Sequence, residues 1–378
     1  MNILFVAYYY EPYPGVGAKR VFYWAKNLQK FAPEHNAFVV TATEDAEDEE
    51  NVNVSVIKNY RNGLWGYLFK SDPGASWGYL LKRWFKNNNE KYDVVLFTGN
   101  PFLHFRIAGW LKRKMGVKIV FDYRDPWGQN PRRITNNISL YIKNRVNIYL
   151  ECLINKRADL IITVNKWCVP FISNKNQNKI KIIDNGFDEE VFDTVLSSGN
   201  IFIEDTNKIR FAYAGSFAYD RNPSLFLDII QKDKKLQECI EIIHIGEYSN
   251  WLEPYNDEKW LVKLGQKTYF ETLAVLKSCD YGLIFTEGYT FESTTKIFDY
   301  IGIGLNILII TNIIFDKGAI IDYTSKYRNM CLIENKREQI EFFLKNNITK
   351  RKLVSTILDY RFSRKVGLEK LIKYLNGL

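Results

Sequence analysis

The chain has 378 residues, with 52 Lys and Arg, 43 Asp and Glu and 3 His, for a net charge of +9 at pH 7. Hydrophobic residues make up 46% and charged residues 25%, which excludes wholesale disorder, and the length suits two domains. No apolar run reaches the ~18 residues of a membrane-spanning helix. The best, Ile301 to Phe315, is interrupted by Asn306, Thr311 and Asn312, and the opening MNILFVAYYY has neither the basic start nor the cleavage site of a signal peptide.

The charge is uneven. From Asn51 to Lys181 there are 23 Lys and Arg against 7 Asp and Glu, a balance of +16, while the remainder has 29 against 36, a balance of −7. Such asymmetry points to an anionic partner on one domain, whether nucleic acid, phospholipid or a phosphorylated substrate; a merely solubilising surface is the plain alternative. Five cysteines, Cys152, Cys168, Cys239, Cys279 and Cys331, are scattered without a CxxC pair and read as reduced thiols of a cytoplasmic protein. His35, His104 and His244 lie too far apart for a zinc motif.

In chain order, Met1 to Tyr9 is an aromatic-rich apolar run closed by Glu-Pro and Pro-Gly, a buried strand followed by a loop. From Ala18 the period becomes helical, with Val21, Trp24, Leu28 and Phe31 on one face and Pro33 beyond. Ala37 to Thr43, Asp93 to Phe97, Lys118 to Phe121 and Leu160 to Val164 are further strands, with a helical stretch around Arg106 to Met115. The alternation pauses at Asn185-Gly186 and resumes with strands at Ile209 to Tyr213, Ile240 to Ile245, Tyr281 to Phe285 and Ile307 to Ile310. Helical stretches lie between them, such as Ser224 to Gln231 and Thr268 to Lys277. Strands apolar on both faces and alternating with helices predict two doubly wound α/β domains, 1–185 and 186–378. In such sheets ligands bind beyond the carboxyl ends of the strands, and two facing domains would make a cleft there.

Candidate site residues sit at those ends. Gly15 and Gly17 precede a helix start that offers N–H groups to an anion, with Lys19 and Arg20 following. Asp122, Arg124 and Asp125 close the strand FDYRDPW. In the second half Gly215 and Ser216 close a strand, and Arg221-Asn222-Pro223 opens the next helix. Thr294 and Thr295 supply capping hydroxyls at a helix start, Lys296 adds a point charge, and Asp299 lies one turn along, placed for ribose hydroxyls. The plain alternatives are a tight turn at the glycines, an Asp–Arg pair bracing a loop, a solvated Arg221 and an ordinary capped helix.

Taken together, ILFVAYYYEPYPGVGAKRV, FDYRDPW, IIDNGFD, IRFAYAGSFAYDRNP and TTKIFDYIGIG resemble the retaining GT-B-fold glycosyltransferases of family 4, over nearly the whole chain. The resemblance implies two Rossmann-like domains facing a cleft, with a terminal helix of about residues 357–378 packing back on the first. It implies Gly15 and Gly17 beside the donor diphosphate, Arg221 and Lys296 neutralising it, Asp299 on the ribose and Gly265 near the base. It puts Asp125 and His104 near the acceptor and the transferred sugar, with Arg124, Lys19 and Arg20 on the acceptor side. Three positions depart from the pattern. The first Glu of the Glu-x7-Glu motif should fall at 291, which is Phe, so that Glu292 serves by a local shift or the contact is absent. Ser216 stands where an arginine is usual, and Gly304-Leu305-Asn306 where Gly-x-Pro is usual.

The activity so implied is transfer of a sugar from a nucleotide diphosphate sugar to a glycan or polyprenyl-diphosphate-linked acceptor, with no cofactor and no metal, in bacterial surface polysaccharide synthesis. The leaving phosphate takes the acceptor proton, which suits a chain with few histidines. The basic-aromatic segment 61–86, including WGYLLKRWFK at 77–86, is a candidate for peripheral attachment to the anionic inner face of the cell membrane; packing of the same helix in the domain core is its alternative. A GT-B-fold sugar-nucleotide epimerase and a non-enzymatic nucleic-acid-binding protein are the competing functions, the latter without a visible nucleic-acid module.

Overall fold

The computed structural model of the protein describes residues 1–13, 15–60, 72–134, 136–172, 177–198, 207–325, 327, 329–347 and 360–378. They form two compact units, Met1–Asn185 with Arg364–Leu378, and Gly186–Ser363.

In the first unit the strands are β1 (Asn2–Ala7), β2 (Asn36–Thr41), β3 (Val52–Val56), β4 (Val94–Gly99), β5 (Lys118–Tyr123), β6 (Leu160–Thr163) and β7 (Ile180–Ile182). They make one sheet in the order β3-β2-β1-β4-β5-β6-β7, every pair parallel. The helices are α1 (Val16–Phe31), α2 (Gly74–Asn87), α3 (Ala108–Met115) and α4 (Ile138–Asn155). A parallel sheet must be covered on both faces, and β1 shows how the sequence does this. Leu4 and Val6 point into a core with Trp77, Leu81 and Phe85 of α2 and Leu111 of α3. Ile3, Phe5 and Ala7 point into the opposite core with Val21, Trp24 and Leu28 of α1. Each such large side chain, fully buried, is worth ~1.5–3 kcal/mol. The last helix of the chain, α12 (Arg364–Leu375), closes this second core with Leu368, Leu371 and Leu375.

Trp77, Leu81 and Phe85 fall at i, i+4 and i+8 and are all buried. The apolar face of WGYLLKRWFK that holds these three residues is therefore spent on the core, the packing alternative for this helix, while 61–71 of the segment lie outside the described residues. Trp65, Tyr67 and Phe69 lie outside the described residues, as does 357–359 of the expected terminal helix, whose described part begins at Arg364.

The second unit repeats the plan. β8 (Ile209–Ala214), β9 (Ile240–Ile245), β10 (Leu261–Lys263), β11 (Tyr281–Thr286), β12 (Asn306–Thr311) and β13 (Met330–Glu334) form a sheet in the order β10-β9-β8-β11-β12-β13, again all parallel. Its helices are α5 (Glu189–Ser197), α6 (Ser224–Lys232), α7 (Lys234–Cys239), α8 (Tyr269–Lys277), α9 (Lys296–Ile303), α10 (Ala319–Thr324) and α11 (Arg337–Asn347). Ile209, Phe211 and Tyr213 of β8 pack with Phe226, Leu227 and Ile230 of α6 and with Ile340 and Leu344 of α11. α8 opens on a reciprocal cap, in which the Thr268 hydroxyl accepts from the Glu271 N–H while the Glu271 carboxylate accepts from the Thr268 N–H. Both sheets place their carboxyl ends where the candidate residues lie.

Candidate functional site

In the second unit three strands end in glycine: Gly215 after β8, Gly246 after β9 and Gly288 after β11. Gly215 has φ +120°, a conformation that favours glycine. A methyl group on Gly246 would stand 2.7 Å from the Gly215 carbonyl oxygen, so the two turns touch backbone to backbone. Into this floor comes Lys296, the first residue of α9. A methyl group on Gly215 would lie 3.1 Å from its Cε and 3.2 Å from its Nζ. Lys296 Nζ donates to the Tyr213 hydroxyl at 3.3 Å and lies 4.5 Å from the centre of that ring. Tyr213 in turn donates to the Ser216 carbonyl at 3.1 Å and stacks on Phe217, with ring centres 4.2 Å apart. Phe217 stacks on His244, whose Nε2–H donates to the Gly215 carbonyl at 2.9 Å.

The electrostatics follow from this packing. Burial, and then the neighbouring charge of Arg221, pull the Lys296 ammonium down to about 7 against the opposing pull of Asp299 and Asp220. Burial also lowers His244, against the raising effect of its hydrogen bond to Gly215. Arg221 lies in the short turn Tyr219–Arg221, its Nε 3.4 Å from Asp220 Oδ1. Two cations so coupled cost free energy until an anion joins them. The arrangement fits a phosphate: two positive groups, a glycine turn without side chains, and the amino end of α9. Asp299, one turn along, accepts from the Tyr269 hydroxyl of α8 at 2.7 Å. Gly265, at φ +68° beyond β10, ties its carbonyl to the Gly246 N–H at 3.0 Å.

Thr294 and Thr295 stand at the start of α9, half-buried, and neither hydroxyl caps the helix, a correction to the expected capping role. The helix entrance is instead shaped by backbone, with the Thr294 carbonyl accepting from Ile297 and that of Thr295 from Phe298. Glu292 is buried and turned into its own loop, where it accepts from the Thr286 hydroxyl and from the Gly288 N–H. Phe291, at the motif's first position, is buried against Tyr289.

In the first unit Gly15 is the extended residue before α1, and Gly17 lies against Arg124, where any methyl group would collide with the guanidinium. Arg124 Nε donates to the Gly99 carbonyl at 2.7 Å, and the charges of Asp122 and Asp125 flank it. Asp125 is exposed and Lys19 half-buried. Two acceptor-side expectations are corrected here. Arg20 is only 6% exposed and faces inward: it donates to Asp122 at 3.4 Å, to the carbonyls of Ile183 and Asp184 at 3.0 Å, and to Asn185 Oδ1 at 3.1 Å. Its charge neutralises a buried carboxylate and fastens α1 to the chain leaving β7. His104 is 0% exposed, enclosed by Trp77, Phe97 and Phe105, and burial pushes its imidazole down to about 3, so it is neutral.

The sequence reading passed over Asp72. Its carboxylate accepts from the N–H groups of Gly74, Phe102 and Leu103 at 2.9, 3.1 and 3.3 Å. It lines a cavity of about 500 Å³ with Asn100, Trp127, Arg132, Arg133 and Lys143. Tyr213, His244, Gly246 and Tyr269 were missed as well. Only the Gly after IIHI carried a signal, as a strand-end glycine matching Gly215.

Residues 17–191 match the sequence profile of Glycosyltransferase Family 4. None of the curated proteins matches the chain by sequence. Solved structures share its architecture end to end. Sucrose-phosphate synthase from Thermosynechococcus elongatus is 12% identical, with a TM-score of 0.72, covering 100% of this chain and 98% of that one. HepE from Anabaena, in complex with UDP and glucose, is 15% identical with a TM-score of 0.70, covering 100% of both chains. UDP-GlcNAc 2-epimerase from Methanocaldococcus jannaschii is 13% identical with a TM-score of 0.59, covering 100% of both. At these identities the likeness establishes the fold, which is GT-B. Arg124, Asp125 and Lys19 fall inside the family segment; Arg221, Lys296 and Asp299 lie beyond it.

Proposed function

We propose that the chain is a retaining glycosyltransferase that moves a sugar from a nucleotide diphosphate sugar to a glycan or polyprenyl-diphosphate-linked acceptor. The observation that carries the donor assignment is Lys296 lying across Gly215 with Arg221 as its charged neighbour. When the anomeric bond breaks, positive charge grows on the sugar ring and negative charge on the leaving phosphate. Lys296, Arg221 and the amino end of α9 meet that growing charge without rearrangement. Protonated by contact with the diphosphate, Lys296 recovers its charge, and the leaving phosphate accepts the acceptor's proton. Asp299 holds the ribose, and the Gly265 turn passes the base. Asp125 and Arg124 serve the acceptor.

The reaction in this proposal runs without a metal or cofactor. Among the described residues no cluster of three or more His, Cys, Asp and Glu is placed to hold a metal ion, and no helix is long and apolar enough to cross a membrane. Attachment to the inner face of the cell membrane, where a lipid-linked acceptor of surface polysaccharide synthesis is presented, belongs to the same proposal. It is supported by the +16 balance of residues 51–181.

A screen of nucleotide sugars by thermal stabilisation tests the donor, since a ligand of the native state raises the melting point by mass action. Stabilisation by at least one nucleotide sugar, lost on Lys296→Ala, supports the reading; none across the set opposes it. The epimerase reading keeps its footing in the shared fold. Incubation with donor alone separates the two, because an epimerised donor would appear without any acceptor.

A further inference from the structure

The helix α4 is amphipathic in the wrong sense for a soluble surface. Its buried positions include Asn147, Glu151 and Asn155, whereas Ile138, Ile142, Val146, Tyr149 and Leu153 are exposed. Their spacings of four, four, three and four place these five on one stripe, opposite the buried side. Ile142 is 58% and Tyr149 65% exposed, and Ile134, just before the helix, is 84% exposed. An isolated exposed leucine means nothing, but a continuous apolar stripe on the solvent side of a helix marks a surface with an apolar partner. The inward side explains the inversion only in part. Glu151 is held by the Gly128 N–H at 3.1 Å and Asn155 by the Tyr123 hydroxyl at 2.9 Å, so polar groups anchor the helix to the unit.

Charge says what the partner is. Residues 131–150 contain no Asp or Glu but carry Arg132, Arg133, Lys143 and Arg145. Arg132, Lys143 and Arg145 are exposed beside the stripe. A second copy of the chain docked face to face would set these cations against each other with no carboxylate between. An anionic bilayer meets both demands, apolar side chains entering below the headgroups and cations meeting lipid phosphates.

We propose that the exposed face of α4, with Ile134, Arg132 and Arg145 at its margins, is the surface by which this protein docks on an anionic phospholipid bilayer. The proposal rests on the membrane attachment argued above and places it on α4 rather than on the helix 74–87. The cavity lined by Asp72 and Arg133 meets α4 at Leu140, Lys143, Asn144 and Asn147, on the side away from the stripe, and is no part of this surface.

Vesicle flotation of the full chain tests this, using phosphatidylcholine alone and phosphatidylcholine with phosphatidylglycerol. Binding is expected to the anionic vesicles only, to fall in about 1 M salt, where the screening length is ~3 Å, and to drop at least about tenfold in the double variant Ile142→Asp/Tyr149→Asp. Both residues are exposed, so melting of the variant should match the parent. Equal binding to neutral vesicles, no binding to either, or undiminished binding by the double variant would overturn the proposal. So would a parent dimer in sedimentation velocity that the double variant dissolves. Nucleotide-sugar stabilisation of the double variant in solution reports on the donor site separately, so failure of docking and failure of the transferase reading are distinguishable.

Discussion

Lys296 and Tyr213 form the centre of the second unit's candidate site, the ammonium donating to the phenol at 3.3 Å while lying 4.5 Å from its ring centre. One comes from the first residue of a helix and the other from the penultimate residue of a strand, 83 positions apart. The phenol donates onward to Ser216, so the ring cannot turn away without losing both bonds. This fixes the ammonium across Gly215 before any ligand arrives.

That burial has a signature in pH. Lys296 titrates at about 7 in the native chain against an ordinary 10.5. Below about 7 it is protonated in both native and unfolded chains, and the native form carries the cost of a half-buried charge. Between about 7 and 10.5 the native lysine is neutral while the unfolded one keeps its proton. The unfolded state then binds more protons, and stability rises with pH. Relative to Lys296→Met, the parent should therefore gain urea resistance between about pH 6.5 and 9. A difference that stays flat over that window would refute the assignment. A diphosphate ligand requires the protonated form, so its affinity should fall as pH rises through about 7.

Gly246→Ala should destabilise the second unit by ~1–3 kcal/mol, because the added methyl meets the Gly215 carbonyl at 2.7 Å and backbone must shift. Equilibrium unfolding in urea reads this directly. The same change should weaken donor binding, since the Gly215 turn carries Lys296. An unchanged midpoint would show that the two turns are not in contact.

Arg20→Met should cost about 3 kcal/mol by leaving the buried Asp122 carboxylate without its hydrogen-bonded cation and with only the charge of Arg124 beside it. The double change Arg20→Met/Asp122→Asn should recover much of that loss. If Arg20 served an acceptor instead, the single change would raise KM and leave the unfolding midpoint in place.

Glu292→Gln tests whether this carboxylate acts on the sugar or braces its loop. Held by Thr286 and the Gly288 N–H, it should act through the loop. The expected result is a loss of about 1 kcal/mol in stability with a smaller loss of turnover than Lys296→Ala gives. A turnover defect as large as that of Lys296→Ala, at unchanged stability, would assign it a catalytic role.

The two sheets show where sequence reading succeeds and where it stops. The nine strands read from apolar runs are β1, β2, β4, β5, β6, β8, β9, β11 and β12, which are the inner strands of the two orders. The strands passed over, β3, β7, β10 and β13, are the four edges. An inner parallel strand is covered on both faces and becomes a continuous hydrophobic run. An edge strand such as Ile180–Ile182 or Leu261–Lys263 is short and partly wet, so its run is broken by lysine. The site divides in the same way. The strand end at Gly215 and the helix start at Lys296 were legible because strand ends and helix starts are local features. The inward turn of Arg20, the enclosure of His104 and the placement of Asp72 depend on residues distant in sequence. The role of the helix 74–87 was open for a related reason. The basic-aromatic composition of 77–86 is shared by packed and docking helices, and only burial separates α2 from α4.

The most direct test of donor binding is calorimetric titration of the parent and of Lys296→Ala with the nucleoside diphosphate of whichever nucleotide sugar stabilises the chain, at about pH 6.5, where the lysine is protonated. Loss of a charge-assisted hydrogen bond of ~1.5–3 kcal/mol should weaken binding by about tenfold to a hundredfold, with the urea midpoint no lower than the parent's. Equal affinity in the two proteins would show that Lys296 does not hold the diphosphate.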